Sequence, residues 1–257
     1  MKNQPRLNSH RPLFSAALAL ALSIEVLAQT SPPRPRVLVT TTLVEPDMSR
    51  EWFDLNKNEI NPALKKAGVK SRTVYRNAPF NGSSYEYVIV SPVDNYGQFD
   101  QDGPLTRALG REEAERLLGK LRKCVSSTTR FVSTPRPDLG NSPEPGKAPK
   151  IQVVTRYRTN PGKAAEYETY LKTEIQPVYK KANVLFSIAQ RGFGSFGNEW
   201  TTITYADKYA DLDGGPSLNR ILGQEAAAKV LAKADPLRTL VQRVVRIRVE
   251  ELSFRQE

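Results

Sequence analysis

An α+β fold made of two copies of one unit is the fold class the sequence predicts, and three observations predict it. First, the chain repeats itself. A shift of 115 positions lays Glu59-Ile60-x-Pro62-x-x-Lys65-Lys66-Ala67 over Glu174-Ile175-x-Pro177-x-x-Lys180-Lys181-Ala182, Val39-Thr40 over Val154-Thr155, Pro46 over Pro161 and Trp52 over Tyr167. A shift of 113 pairs Asp94-x-Tyr96 with Asp207-x-Tyr209, and Arg107-x-Leu109-Gly110-x-Glu112 with Arg220-x-Leu222-Gly223-x-Glu225. Second, each copy alternates between strand-like and helix-like apolar periodicity in the same order. Third, residues 134–150 carry five prolines, two glycines and no apolar periodicity, as a linker between the copies would.

The elements follow in order. In the first copy, β-branched residues 37–44 read as a strand after a Pro-rich lead. Pro46-Asp47 signals a helix start, and Trp52, Leu55, Ile60 and Leu64 recur at helical spacing until Gly68. Residues 72–76 and 85–91 are short strands around a loop ending in Asn81-Gly82, a turn signal. A helix at 111–124 and a strand at 128–133 close the copy. In the second copy, strand 151–158 leads through Asn160-Pro161-Gly162 into a helix carrying Tyr167, Tyr170, Leu171 and Val178. Strands 185–191 and 200–205 flank the Gly-rich segment 192–197, and helix 224–234 precedes a long strand at 240–249.

This order, βαββαβ, is the ferredoxin-like arrangement. One such sheet covers only one face with helices, so it needs a second layer, which the other copy supplies. The predicted architecture is therefore two tandem ferredoxin-like units, 37–133 and 151–253, forming an intramolecular dimeric α/β barrel. In element order, unit length and duplication the chain resembles the dimeric α/β-barrel superfamily, including its antibiotic-biosynthesis-monooxygenase-like and NIPSNAP-like members. That superfamily holds cofactor-free oxygenases, haem enzymes and members without known activity. The resemblance implies a fold and a pocket, and no family motif carries a functional residue onto a numbered position here.

Residues 1–28 have the layout of a secretory signal peptide: Lys2, Arg6 and Arg11, then an apolar run from Leu13 to Ile24, then a cleavage region before Gln29. The run is too short for a stable anchor. The protein is expected to be periplasmic or secreted, and not integral to a membrane after processing. Removal of the segment takes three basic residues and Glu25, lowering the formal charge from +11 to +9. Export and the spread of the charges argue against a nucleic-acid partner and allow a small anionic or amphipathic ligand. Monomer and homodimer both remain open.

The sole histidine, His10, lies in that segment, and Cys124 is the only cysteine. The remaining chain can build no intramolecular disulfide, no usual zinc site, no histidine-ligated haem site and no Ser-His-Asp triad. No metal and no cofactor are expected. Cys124 falls on the apolar stripe of Ala114, Leu117, Leu118 and Leu121, where burial is the ordinary fate of a thiol.

Strand alternation gives the sharpest site inference. Gln152, Val154, Arg156 and Arg158 share one face of their strand, and Val244, Arg246 and Arg248 share one face of the last strand. First and last strands neighbour each other in a ferredoxin-like sheet, so Arg156, Arg158, Arg246 and Arg248 should share its open face. Like charges side by side repel, so acidic side chains, water or an anionic ligand must offset them. The equivalent positions Val39, Thr41 and Leu43 are uncharged. Trp200 and Tyr87 match each other on the third strands; they are candidate barrel-lining, ligand-binding residues, with a core role as the alternative.

Other repeated residues invite structural readings. Asp94 and Asp207 are expected to cap helices, with Arg107 and Arg220 either as their ion-pair partners, the favoured reading, or facing a pocket. Tyr96 and Tyr209 are expected to pack with wet hydroxyls. Pro62 and Pro177 predict a kink or restart within a helix. Glu59 and Glu174 lie one per copy on outer helices and make no acid–base dyad. Gly192-x-Gly194-x-x-Gly197 joins two strands with no helix after it, so it is a turn and not a dinucleotide motif.

The expectation for function is thus an exported small-molecule-binding protein with an unidentified ligand. Two alternatives stand beside it: a cofactor-independent oxygenase or isomerase using the same barrel, and an envelope interaction module. A barrel packed by its own side chains would favour the last.

Overall fold

A computed structural model describes residues 34–144 and 146–256, so the signal-peptide reading of 1–28 lies outside the described residues. Eight strands form a closed antiparallel barrel: β1 (Arg36–Val44), β4 (Val125–Pro135), β6 (Phe186–Arg191), β7 (Glu199–Ala206), β5 (Ile151–Thr159), β8 (Arg238–Arg248), β2 (Ser71–Asn77) and β3 (Glu86–Val93), which returns to β1. The fold is α+β, and the ring leaves none of these strands as a free edge in the barrel. A short strand, β9 (Phe254–Arg255), adds to β2.

The strand order within the first half is β4–β1–β3–β2, and within the second it is β8–β5–β7–β6. Two seams join the halves. Tyr75, Arg76 and Asn77 of β2 register with Arg248, Ile247 and Arg246 of β8. In the same manner Ala189, Gln190 and Arg191 of β6 register with Pro135, Thr134 and Ser133 of β4. The described helices contain none long and apolar enough to cross a membrane.

The repeated prolines are accounted for by local backbone chemistry. Helix α1 (Ser49–Leu55) runs through a π-turn (Asn56–Ile60) into α2 (Asn61–Lys66), and α5 (Ala164–Tyr170) runs through Leu171–Ile175 into α6 (Gln176–Lys181). Pro62 and Pro177 sit within the first two positions after each π-turn. A proline ring clashes with the carbonyl four residues back and offers no N–H, and a π-turn absorbs both faults. The repeated Leu-Gly is a joint between helices. Gly110 separates α3 (Pro104–Leu109) from α4 (Arg111–Lys123), and Gly223 separates α7 (Ser217–Leu222) from α8 (Gln224–Ala232). Their φ angles of 82° and 80° belong to a region that side chains disfavour.

Tyr96 and Tyr209 have a role that no reading of one half could supply. Phe80, in the β2–β3 loop, meets Tyr209 edge-on at 5.4 Å, and Phe193, in the β6–β7 loop, meets Tyr96 edge-on at 5.5 Å. Phe80 and Phe193 are themselves 113 positions apart. The same loops extend the seams: Ala78 N–H donates to the Val245 carbonyl, and Val132 N–H donates to the Phe193 carbonyl. Each half therefore clasps the other reciprocally, as residues do across a two-fold interface.

Two expectations are corrected. Asp94 and Asp207 do not cap helices with their side chains; Asp211 instead accepts from the Asp207 and Lys208 N–H groups. Arg107 and Arg220 donate not to those aspartates but to the carbonyls of Asp102 and Asp211, each at 2.7 Å. A guanidinium at the end of a short helix finds nearby carbonyls at less entropic cost than a distant, solvated carboxylate. The 134–150 segment is also more than a tether. Its first residues extend β4, and Arg136, only 2% exposed, pairs with Asp138 and Glu168 while Leu139 enters the second half's core.

Candidate functional site

Two cavities lie on opposite faces of the second half's sheet. The first, about 600 Å³, is the barrel interior. Alternation on β5 and β8 turns Gln152, Val154 and Arg156, with Gln242, Val244 and Arg246, toward it. Alternation on β1 and β3 contributes Val37, Val39, Thr41, Val88 and Val90. The β1–β3 wall is mostly aliphatic, with Thr41 and Glu86 among its valines, and the opposite wall carries the arginines.

The four predicted arginines divide into two pairs. Arg156 and Arg246 face the cavity. Their strands neighbour each other, although the register sets Arg246 beside Gln152 and Arg156 beside Gln242. Arg158 and Arg248 lie outside its lining and are internally paired. Arg158 donates to Glu199 Oε1 at 3.2 Å and lies over Phe196 at 4.1 Å. Arg248 donates from Nε to Glu250 Oε1 at 2.9 Å and reaches the Ala148 carbonyl. These two correct the expectation that all four share one open face, because strand ends bring them to local acceptors.

Arg191, on β6, joins the cavity and was not singled out in the sequence. It lies flat on Phe131, with the guanidinium 3.5 Å from the ring centroid, and donates to the buried Glu199 at 3.0 Å. Burial, opposed by Glu199 and reinforced by Arg156 and Arg246, pulls its pKa down to about 10. Arg246 is likewise lowered, first by burial, with Glu86 opposing and Arg156 reinforcing. The three guanidiniums therefore feel one another inside the barrel. The Nε atoms of Arg156, Arg191 and Arg246 are buried without a hydrogen-bond partner among the described residues. The only hint of Arg191 in the sequence was its place at the end of an inward-alternating strand; that it faces Arg156 depends on barrel closure.

Trp200 and Tyr87 are corrected outright as barrel-lining candidates. Trp200 packs edge-on against Tyr167 at 5.7 Å, and Tyr87 stacks on Trp52 at 4.3 Å, both between sheet and helices. Cys124 is buried in the first half's core, and burial raises its thiol pKa. Glu59 and Glu174 hold only surface ion pairs, with Arg116 and Lys120 and with Lys233 respectively. Among the described residues no cluster of three metal-ligating His, Cys, Asp or Glu side chains occurs.

The second cavity, about 500 Å³, lies between the second half's sheet and its helices. Tyr157, Tyr167, Tyr170 and Tyr179 line it, with Arg238 and Arg243. Arg238 sits 3.4 Å from the Tyr157 ring centroid and 5.5 Å from that of Tyr167. Burial raises the Tyr167 and Tyr179 hydroxyls and pushes Tyr170 up to about 12, so all three are neutral hydrogen-bond donors near pH 7. Phe80 of the first half reaches this cavity's wall.

The closed eight-stranded antiparallel barrel with its outer helices is an α+β fold shared with proteins of known structure. Solved structures of like fold include a presumed monooxygenase from Lactobacillus acidophilus NCFM, with TM-score 0.53 and 10% identity over 84% of this chain and 94% of that one. A presumed monooxygenase from Fusobacterium nucleatum subsp. nucleatum gives TM-score 0.55 and 10% identity over 85% and 94%. An anthrone oxidase-like protein gives 0.52 and 11% over 85% and 92%. At such identities the likeness is one of fold. No family model matches the chain, and no curated protein does.

Proposed function

We propose that this is an exported, periplasmic or secreted protein that holds a small organic anion, amphipathic in character, inside its barrel. The carrying observation is the trio Arg156, Arg191 and Arg246, whose buried Nε atoms lack partners beside a cavity with an aliphatic opposite wall. Buried charges are costly unless paired, and arginine's planar fork suits a carboxylate or phosphate. A barrel that is hollow rather than packed by side chains also favours a ligand over a purely structural interaction module. We read the chain further as a tandem duplication of a ferredoxin-like unit, one chain doing what two do in a paired barrel. Identical strand order in the halves and the reciprocal Phe–Tyr clasps support that reading.

The test is thermal denaturation of the protein with a panel of organic monocarboxylates, dicarboxylates and phosphate esters at millimolar concentration. A specific anion should raise Tm in proportion to the logarithm of its concentration. Arg156→Ala/Arg246→Ala should abolish the rise; its persistence in that variant, or no rise for any anion, overturns the reading.

The second reading, a cofactor-independent oxygenase or isomerase, is favoured by the tyrosine-lined cavity. Neutral phenols and Arg238 there could steady an oxyanion on an activated substrate. Oxygen uptake with anthrone or another electron-rich hydroxyaromatic, lost in Arg238→Gln, would support it. No uptake and no product would remove it.

A further inference from the structure

We infer that the barrel selects a monoanion: one carboxylate headgroup at Arg156, with an apolar body against the first half's wall. This rests on the reading of the barrel as an organic-anion site and names the ligand class.

Charge balance carries the inference. Two of the three cavity arginines touch a carboxylate of the fold, Arg191 sharing Glu199 with Arg158. Arg191 is held by Glu199 at 3.0 Å and seated on Phe131. Arg246 faces Glu86 at 3.8 Å, and Glu86 is itself held by Asn77 Nδ2 at 3.3 Å. Arg156 has neither: among the described residues it makes no ion pair and no side-chain hydrogen bond, and its Nε is buried. Its strand neighbours across the sheet, Thr201 and Gln242, are uncharged. Arg156 is therefore the cavity arginine with no carboxylate of the fold beside it.

A single carboxylate on Arg156 gives each cavity arginine an acidic partner. A second negative charge on the same molecule would enter a cavity where Glu86 already stands on the wall, and like charges in low dielectric repel strongly. A neutral amphiphile would leave the guanidinium unpaired. Opposite the headgroup, Val37, Val39, Val88 and Val90 offer aliphatic surface, bounded on the same strands by Thr41 and Glu86. An alkyl or aromatic body gains there from leaving water.

The experiment is calorimetric titration of the full protein with decanoate and 2-naphthoate as monoanions, sebacate as a dianion and decanol as a neutral control. One equivalent of at least one monoanion should bind, with sebacate and decanol at least about tenfold weaker, the scale of one charged hydrogen bond. Arg156→Gln should weaken the monoanion by about tenfold or more, and Arg156→Lys should recover part of it. Both variants must retain the wild-type melting transition; a variant that does not is replaced by Arg156→Met, which keeps the stem's packing.

Decanol binding as tightly as decanoate overturns headgroup recognition. Sebacate binding as tightly as the monoanions overturns the single-charge rule while leaving an anion site intact. Dianions of the thermal panel stabilising the protein while no monocarboxylate binds does the same. Failure of every anion in both experiments removes the barrel site itself.

Discussion

In the second half of this protein the helix layer encloses a cavity against its sheet, and in the first half the matching positions hold Trp52 and Leu55 in an apolar core. Trp52 and Tyr87 stack at 4.3 Å in the first, beside Leu55, Leu117 and Cys124. At the matching positions the second half has Tyr167 for Trp52 and Tyr170 for Leu55, and these line the 500 Å³ space with Arg238. The barrel's inner walls differ in the same sense, valines on one side and arginines on the other. Residues repeated in both halves include Pro62 and Pro177 at the π-turns, Gly110 and Gly223 at the helix joints, and Tyr96 and Tyr209 in the clasps. Divergence is concentrated where side chains face a hollow.

That contrast can be broken most forcefully at Trp52. Trp52→Ala should cost about 3–5 kcal/mol of unfolding free energy, because a close-packed core cannot refill the void. Tyr167→Ala should cost clearly less, since part of that ring already faces open space. Urea denaturation of the two variants measures the difference, and equal losses would deny that the second half is the looser one.

The helix joints provide the symmetric control. Gly110→Ala and Gly223→Ala should each cost about 1–2 kcal/mol, the penalty for a side chain at positive φ. Neither joint has neighbouring atoms that an added methyl would strike, so strain alone is at issue. A large inequality would show that the duplicated joints have parted in function.

Smaller effects are expected at the clasps. Double-mutant cycles on Phe80/Tyr209 and on Tyr96/Phe193 should give coupling of about 0.5–1.5 kcal/mol, alike in the two pairs. Coupling in only one pair would mean that the halves do not hold each other reciprocally. The least effect belongs to Tyr170→Phe. Its hydroxyl is buried and makes no hydrogen bond among the described residues, so removal should leave stability within about 0.5 kcal/mol or raise it slightly. A marked loss would reveal a partner for that hydroxyl.

Much of this was legible in the sequence, because periodicity and turn chemistry are local properties. Strand and helix order, the proline irregularities and the Gly-rich turn at 192–197 all follow from neighbouring residues and their steric limits. Alternation also turned Arg156 and Arg246 correctly to the face opposite the helices. What the sequence could not settle was which arginines stay free. Arg158 and Arg248 have the same parity as their neighbours, yet Glu199, 41 positions away, takes the one and Glu250 takes the other. Arg191 enters the group only because β6 closes the ring against β4, and Phe80 reaches the second half's cavity only because the halves clasp. For Trp200 and Tyr87 the core role prevailed over the barrel-lining one for a related reason: an aromatic on a strand suits either face, and the helices claimed both. Side-chain direction is set by the chain's own two-residue repeat, whereas partnership depends on which distant strand arrives alongside, and that is decided when the barrel closes.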